Sequence, residues 1–289
     1  MNKLHLEHIF SITELPNKYE STNLSADFKG QLIVMGVENL TERTFKYDIY
    51  HFNNHEIQKY TISPVRKLFN HIQRLNDGWL LAESRADDEN VKNATIFDDY
   101  GNSIISFHLG DGIENLQVSE NGDIWVGYFD EGVYGQTVGG SGLSCFNSKG
   151  KQVFDFTDFS WGKKDIPPID DCYALNVVSN DEIYCYYYSD FPLLSIKNMN
   201  EYRIYNKLKI KGSNAFAVWQ EQILFGPTYS NDKNFLYSYS LRDKSIITYK
   251  PVNRNGEILR QFNVIGRKSN LYLVDEKDVY GLDLKVLIK

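Results

Sequence analysis

One short pattern recurs along the chain and constrains the fold more than any other feature. A polar turn leads into an apolar or aromatic strand, as in "GDIWVGYF" at residues 122–129. Aligned on their central apolar residues, the copies are 40 to 59 residues apart, close to the roughly 40–50 residues of one propeller blade. Six copies occupy residues 30–37, 77–84, 122–129, 181–188, 221–228 and 269–276.

The neighbours of each copy recur as well. A strand precedes it, as in "IENLQVS" at 113–119, and two strands joined by a turn follow it, as in "GLSCFNSKGKQVFDF" at 142–156. No amphipathic helix period competes with this pattern. Four antiparallel strands in each of six units predict an all-β fold, a six-bladed β-propeller that spans residues 1–289 as one domain.

The two ends of the chain indicate how the ring closes. The last unit supplies three strands, and a spare strand, "LHLEHIFSI" at 4–12, precedes the first unit. We expect this N-terminal strand to close the last blade as its outer strand, because that pairing removes open sheet edges.

Composition excludes several classes of protein. The net charge of -7 disfavours a nucleic-acid binder, which needs a basic surface. Cys145, Cys172 and Cys185 form no CxxC pair and are odd in number, so neither a disulfide framework nor a zinc knuckle is predicted. The start lacks the continuous apolar segment of a signal peptide, and no apolar run is long enough to cross a membrane. We therefore expect a soluble, cytoplasmic protein.

One blade carries a recognisable motif. The stretch "DGIENLQVSENGDIWVG" at 111–127 resembles the repeats of bacterial regulator-type propellers, and the chain as a whole looks closest to small, stand-alone bacterial propellers without an assigned role. The resemblance implies the propeller fold and a sensing or protein-interaction role. It makes Gly122 a turn residue and Trp125 a packing residue, and it transfers no catalytic residue. The matching positions are Asp111, Gly112, Val118, Gly122, Ile124, Trp125, Val126 and Gly127.

The glycine-rich segment at 135–142 invites comparison with a phosphate-binding loop. Such a loop requires Lys followed by Ser or Thr at the start of a helix. Here Leu143-Ser144-Cys145-Phe146 follows and reads as a strand. The segment is therefore interpreted as a flexible connection between two strands.

Long connections gather on one face of the predicted ring. Within a blade, the connection from the second to the third strand lies on the same face as the connection to the next blade. In the third unit both are long, at 130–141 and 157–171, and the related connections of other units are predicted at 38–44, 84–93 and 227–234. Binding residues concentrate on such loops. The predicted binding face comprises Asp87, Asp88, Asp130, Glu131, Tyr134 and Trp161.

Three interpretations of this face stay open. The acidic loops are simply solvated, or they bind a protein partner of opposite charge through aromatic anchors, or a small molecule or cation binds at the propeller axis. For the third, residues at the starts of inner strands point to the axis, and their carboxylates and amides suit calcium. They are Asn23, Glu114, Asn115, Asp170, Asp171 and Asn214, of which Glu114, Asn115, Asp171 and Asn214 are the metal-site candidates. The favoured function is non-enzymatic protein binding without a cofactor. The alternative is a cation-dependent hydrolase, lactonase or lyase.

Overall fold

The computed structural model describes residues 2–16, 18–53, 56–135, 137–229 and 234–287. Six sheets, each with four antiparallel strands at its core, form a closed ring, so the predicted six-bladed β-propeller is confirmed. The N-terminal segment forms β1 (Asn2–His5) and β2 (Glu7–Ser11).

The blades follow one another along the chain, each built from the inner strand outward. Blade 1 is β3 (Ser21–Ala26), β4 (Leu32–Thr41), β5 (Thr44–Asn53) and β6 (Glu56–Val65). Blade 2 is β7 (His71–Leu75), β8 (Gly78–Ala82), β9 (Ala94–Phe97) and β10 (Ser103–Phe107). Blade 3 is β11 (Ile113–Val118), β12 (Ile124–Tyr128), β13 (Leu143–Phe146) and β14 (Gln152–Asp155). Blade 4 is β15 (Asp171–Val177), β16 (Glu182–Tyr188), β17 (Leu193–Lys197) and β18 (Glu201–Tyr205). Blade 5 is β19 (Phe216–Trp219), β20 (Gln222–Phe225), β21 (Leu236–Ser240) and β22 (Ile246–Val252). Blade 6 is β23 (Phe262–Arg267), β24 (Asn270–Asp275) and β25 (Asp278–Asp283), completed by β2.

The recurring strand is apolar throughout because both of its faces are buried. On β12, Ile124 and Val126 pack into the core between blades 2 and 3. Trp125, which points the other way, packs into the core between blades 3 and 4. A strand buried on two sides needs a continuous apolar run, which explains the repeat seen in the sequence.

The N-terminal segment closes the ring more extensively than the sequence predicts. β2 pairs antiparallel with β25, from Glu7 opposite Gly281 to Ser11 opposite Asp278, as expected. In addition, β1 pairs parallel with β22 and becomes a fifth strand of blade 5. We call residues 2–11 the clasp, because they join the last two blades across their outer edges.

Short helices interrupt the connections. They are α1 (Asp130–Val133), α2 (Phe156–Ser160) and α3 (Leu284–Leu287), together with 3-10 turns at Ile12–Glu14 and Val138–Ser141. Of the helices in the described ranges, none has the length and apolar character needed to cross a membrane. The predicted loop at 38–44 is wrong, because β4 runs to Thr41 and β5 begins at Thr44, so only a tight turn remains. The predicted connection at 227–234 lies partly outside the described residues.

Candidate functional site

An open cavity of about 230 Å³ occupies the propeller axis. Its wall is formed by the inner strands and the residues just before them, so every blade contributes its inner edge to the cavity. Most of the exposed wall is polar. The polar residues on this wall include Asn23, His71, Gln73, Glu114, Asn115 and Asn214.

A hydrogen-bonded layer closes the floor of this axial cavity. The Arg267 guanidinium is buried and donates to Gln117 Oε1 and to the Val118 carbonyl. Gln117 Nε2 in turn donates to the carbonyls of Leu175, at 2.8 Å, and Gly266, at 3.1 Å. These contacts tie the inner strands of blades 3, 4 and 6 together across the axis. A ligand would therefore enter from the other end, where the inner strands begin.

Glu114 stands in the cavity without a neutralising partner. Among the residues that the structure describes, it has no ion pair or hydrogen bond, and burial raises the pKa of its carboxyl. Asn23 and Asn214 share this lack of hydrogen-bond partners within the described ranges, although they come from blade 1 and from the segment before blade 5. Polar groups left open in a cavity are available to water or to a ligand.

His71 lines the cavity as a neutral imidazole. Its Nε2 lies 3.1 Å from the Ile113 carbonyl and 2.9 Å from Ser84 Oγ, so Nε2 carries the proton. Burial lowers the pKa of His71 to about 4, despite the opposing effect of the Ile113 carbonyl. The ring therefore adds no positive charge to the cavity at neutral pH.

The rim of the cavity is acidic. Burial, then the nearby carboxylates of Glu114 and Asp130, raise the pKa of Asp171 to about 6. Asp170 lies beside it and accepts hydrogen bonds from Tyr134, at 2.8 Å, and from Ser189, at 2.9 Å. No described lysine or arginine forms an ion pair with these rim carboxylates.

Tyrosines stand next to the rim. Tyr173 and Tyr229 are joined by a hydrogen bond between their hydroxyls, and both pack edge-on against the buried Phe191. The Asp171 carboxylate contributes to raising the pKa of Tyr229, after burial, which places the two groups within electrostatic range. The rim thus combines carboxylates with aromatic edges.

The glycine-rich segment is built for close packing rather than for phosphate. A Cβ on Gly132 would lie 2.3 Å from the Asp111 carbonyl oxygen, and one on Gly139 would lie 2.8 Å from the same atom. The predicted connection between β12 and β13 contains two short helical turns, α1 before the glycine-rich segment and the 3-10 turn at Val138–Ser141 within it. Gln136 lies outside the described residues.

Arg85 anchors the same region from the neighbouring blade. Its Nε and Nη2 donate to Asp111 at 2.8 and 3.1 Å, and its Nη1 pairs with Glu131. Glu131, predicted as a free binding residue, is therefore already engaged in an ion pair. Asp130 remains unpaired by any described basic side chain.

The remaining residues of the predicted binding face are exposed. Trp161 is 85% exposed and Tyr134 73%, which are high values for aromatic side chains. The nearby Tyr229 is 58% exposed, whereas Phe159 and Phe191 are buried. Asp87 and Asp88 are exposed near Arg85, and Asp88 is engaged in holding the turn at Asn90.

The predicted axial residues gather at one end of the ring. Glu114, Asn115 and Asn214 line the cavity, while Asp171 lies at its rim. Within the described ranges, no group of three or more His, Cys, Asp or Glu side chains is placed to hold a metal ion. The cation hypothesis therefore depends on amide and backbone oxygens as well as on carboxylates.

Sequence reasoning missed His71, Gln73 and Gln117 as cavity residues. A signal was present, because polar residues two apart recur on inner strands: Asn23 and Ser25, His71 and Gln73, Asn115 and Gln117. Residues two apart share one face of a strand, and the side chains of the pairs on β7 and β11 hydrogen-bond to the next blade beside the cavity.

The fold and its open axis define the class of the protein, a six-bladed β-propeller with a polar axial cavity. Residues 143–282, slightly less than half of the chain, match the YxzG family. The curated proteins gave no match. The resemblance to regulator-type repeats stays a prediction.

Two solved structures share the fold at low sequence identity. Virginiamycin B lyase from Staphylococcus aureus, solved as a catalytically inactive variant with quinupristin, is 10% identical, with a TM-score of 0.53 over 96% of this chain and 98% of that one. Regucalcin, a calcium-binding protein from Agrobacterium tumefaciens, is 12% identical, with a TM-score of 0.53 over 98% of this chain and 95% of that one. At such identities the likeness shows the fold alone.

Proposed function

We propose that this propeller is a non-enzymatic binding protein that engages a basic partner protein through its loop face. We define the loop face as the end of the ring that carries α1, α2 and the rim of the axial cavity. The observation that carries the proposal is the acidic rim, where burial, then the carboxylates of Glu114 and Asp130, raise the pKa of Asp171 and so the cost of ionising it, while no described lysine or arginine pairs with it. A lysine or arginine from a partner would remove that cost.

Exposed aromatic side chains on the same face support a protein as the partner. Trp161 and Tyr134 are the most exposed aromatic residues of the loop face. Tryptophan and tyrosine are enriched among the residues that dominate binding energy in interfaces. Charge selects the partner and speeds encounter, while these rings supply the apolar contact.

The test is affinity capture followed by binding measurements with the captured, purified partner. The combined change Asp130→Ala, Glu131→Ala and Trp161→Ala should abolish capture, and Trp161→Ala alone should weaken binding by about tenfold or more, the usual cost of losing an anchor of at least about 1.4 kcal/mol. Tyr100→Ala is the matched control, since Tyr100 is 89% exposed but lies in the β9–β10 turn at the opposite end of the ring. Equal binding by the triple variant and the wild type would refute the proposal.

The alternative function, a cation-dependent hydrolase, lactonase or lyase, is favoured by a different feature. Glu114, Asn115, Asp171 and Asn214 bring carboxylate and amide oxygens to one end of the axis, and such oxygens suit calcium. The fold itself is compatible with either function, since a lyase and a calcium-binding protein both share it.

Calcium dependence separates the two functions. A resident divalent cation would raise Tm when calcium is added and lower it when a chelator is added. Glu114→Gln should remove that response in the cation-dependent case. A Tm that neither calcium nor chelator changes would eliminate the alternative and leave the binding proposal unaffected.

A further inference from the structure

The axial cavity contains hydrogen-bond donors whose orientation is fixed by the protein. Gln73 is 2% exposed, and its Oε1 accepts from the Val118 amide at 3.2 Å, which leaves Nε2 without a partner among the described residues. Asn70 is held in the same way, since its Oδ1 accepts from the Ser84 amide at 3.3 Å. Both side chains line the cavity and offer it an NH₂ group.

The cavity also contains acceptors fixed in the same manner. Asn115 Nδ2 donates to the Cys172 carbonyl at 2.8 Å, so Asn115 Oδ1 is open. His71 carries its proton on Nε2, so its Nδ1 is an acceptor. The Glu114 carboxyl has no partner in the described ranges and adds two more acceptor oxygens.

Asn23 and Asn214 contribute both kinds of group. Each lines the cavity, and neither has a hydrogen-bond partner in the part of the chain that the structure describes. The cavity therefore offers NH₂ donors from Asn23, Asn70, Gln73 and Asn214, and acceptors of about the same number.

This mixture decides which ligand chemistry fits. A cation has no acceptors, so it would leave the NH₂ groups unpaired and facing a positive charge, which is unfavourable. An anion would face Glu114, and no lysine or arginine side chain is found among the described residues that line this cavity. A hydroxyl group both donates and accepts, so several hydroxyls on one molecule can satisfy both kinds of group at once.

The volume of the cavity restricts the size of the ligand. The volume of about 230 Å³ is below the roughly 300–1,000 Å³ of pockets that hold drug-sized ligands. The cavity holds many waters, since one water needs only about 10–15 Å³ of cavity volume. A single sugar ring or a polyol of similar size fits this range.

We propose that the axial cavity binds a small uncharged molecule bearing several hydroxyl groups, of the polyol or monosaccharide class. The ligand displaces water from the amides that line the cavity, and the Arg267 layer below limits how deep it goes. This site shares Glu114 with the acidic rim of the loop face, but its amide groups are distinct from Trp161 and Tyr134, the proposed protein-binding aromatics.

The test is saturation-transfer NMR on the full chain with D-glucose, D-galactose, myo-inositol and glycerol as probes, and isothermal titration calorimetry with calcium chloride, guanidinium chloride and glycine in parallel. We expect transfer to at least one hydroxylated probe. Asn214→Leu should weaken that binding at least tenfold, because it removes a donor and an acceptor without breaking any hydrogen bond among the described residues. Asn206→Leu is the matched control, an exposed asparagine outside the cavity, and should change nothing.

Glu114→Gln distinguishes a hydroxylated ligand from a cation. It keeps an acceptor oxygen and removes the charge, so binding of a hydroxylated probe should fall by no more than a few fold, whereas binding of calcium or guanidinium would be lost. Trp161→Ala should leave probe binding unchanged whether or not a partner protein is found. The proposal is overturned if no hydroxylated probe binds, if Asn214→Leu and Asn206→Leu weaken binding equally, or if only a charged probe binds.

Discussion

Phe10 in the clasp gives the sharpest test of how the ring is closed. It is 4% exposed and packs with Leu32, Val34 and Val279, and its ring centroid lies 4.6 Å from that of Phe52. These contacts join blade 6 to blade 1. Phe10→Ala removes most of the ring from a buried site and leaves a cavity.

The magnitude follows from the burial. Truncation of a buried Phe to Ala costs about 3–5 kcal/mol. For a chain of this size, at about 2 °C per kcal/mol, Tm should fall by about 6–10 °C. Leu6→Ala should cost about 2–5 kcal/mol, since Leu6 is 1% exposed and joins the core between blades 5 and 6.

The assay is calorimetric unfolding of both variants beside Ile9→Ala, followed by sedimentation. Ile9 lies between them but is 37% exposed, so its truncation should cost about 1 kcal/mol or less. Removing residues 1–12 altogether should expose the edges of β22 and β25 and cause aggregation. If Phe10→Ala melts like Ile9→Ala, or if the truncated chain stays monomeric with unchanged Tm, the closure described above is wrong.

Two further predictions concern the rim and the glycine-rich segment. Asp171→Asn should stabilise the protein by about 1 kcal/mol at pH 8, after solvent screening is allowed for, because a folded-state pKa of about 6, raised from 3.8, penalises the ionised carboxyl. This gain should disappear as the pH falls through 6 towards 4, where the carboxyl of the folded wild type is protonated. A gain that is independent of pH would contradict the raised pKa of Asp171. Gly132→Ala should destabilise by about 1–3 kcal/mol, since the new Cβ would lie 2.3 Å from a backbone oxygen, whereas Gly140→Ala, where the nearest atom is 3.7 Å away, should be close to neutral in the same denaturant titration.

The blades could be predicted because their signal is local. Each recurring strand is apolar on both faces, and a turn precedes it, so six copies can be counted without knowing how they pack. The pairing of β1 with β22 could not be predicted, because "NKLH" is short and mostly polar. Its position depends on where blade 5 lies after the ring has closed.

The axial cavity was partly predictable for a related reason. Glu114, Asn115 and Asn214 stand out as polar residues at the starts of inner strands, and they do line the cavity. Gln73 lies on β7, whose sequence HIQRL holds three polar residues, so its identity alone does not mark it as a cavity residue. Only the ring geometry places that side chain beside the axial cavity, so its open amide could not be inferred from sequence spacing alone.

The rim and the interior of the cavity differ in charge, and this difference makes their ligands separable in one measurement. Binding at the rim depends on carboxylates such as Asp171 and Asp130, which attract a basic surface through fields that salt screens. Binding in the interior depends on neutral amides such as those of Gln73 and Asn214, whose hydrogen bonds salt hardly affects. Raising the ionic strength from about 0.01 to 1 M shortens the Debye length from about 30 to 3 Å. Partner binding should therefore weaken strongly over that range while binding of a hydroxylated probe stays nearly constant, and a parallel loss of both would mean that the two ligands depend on the same carboxylates.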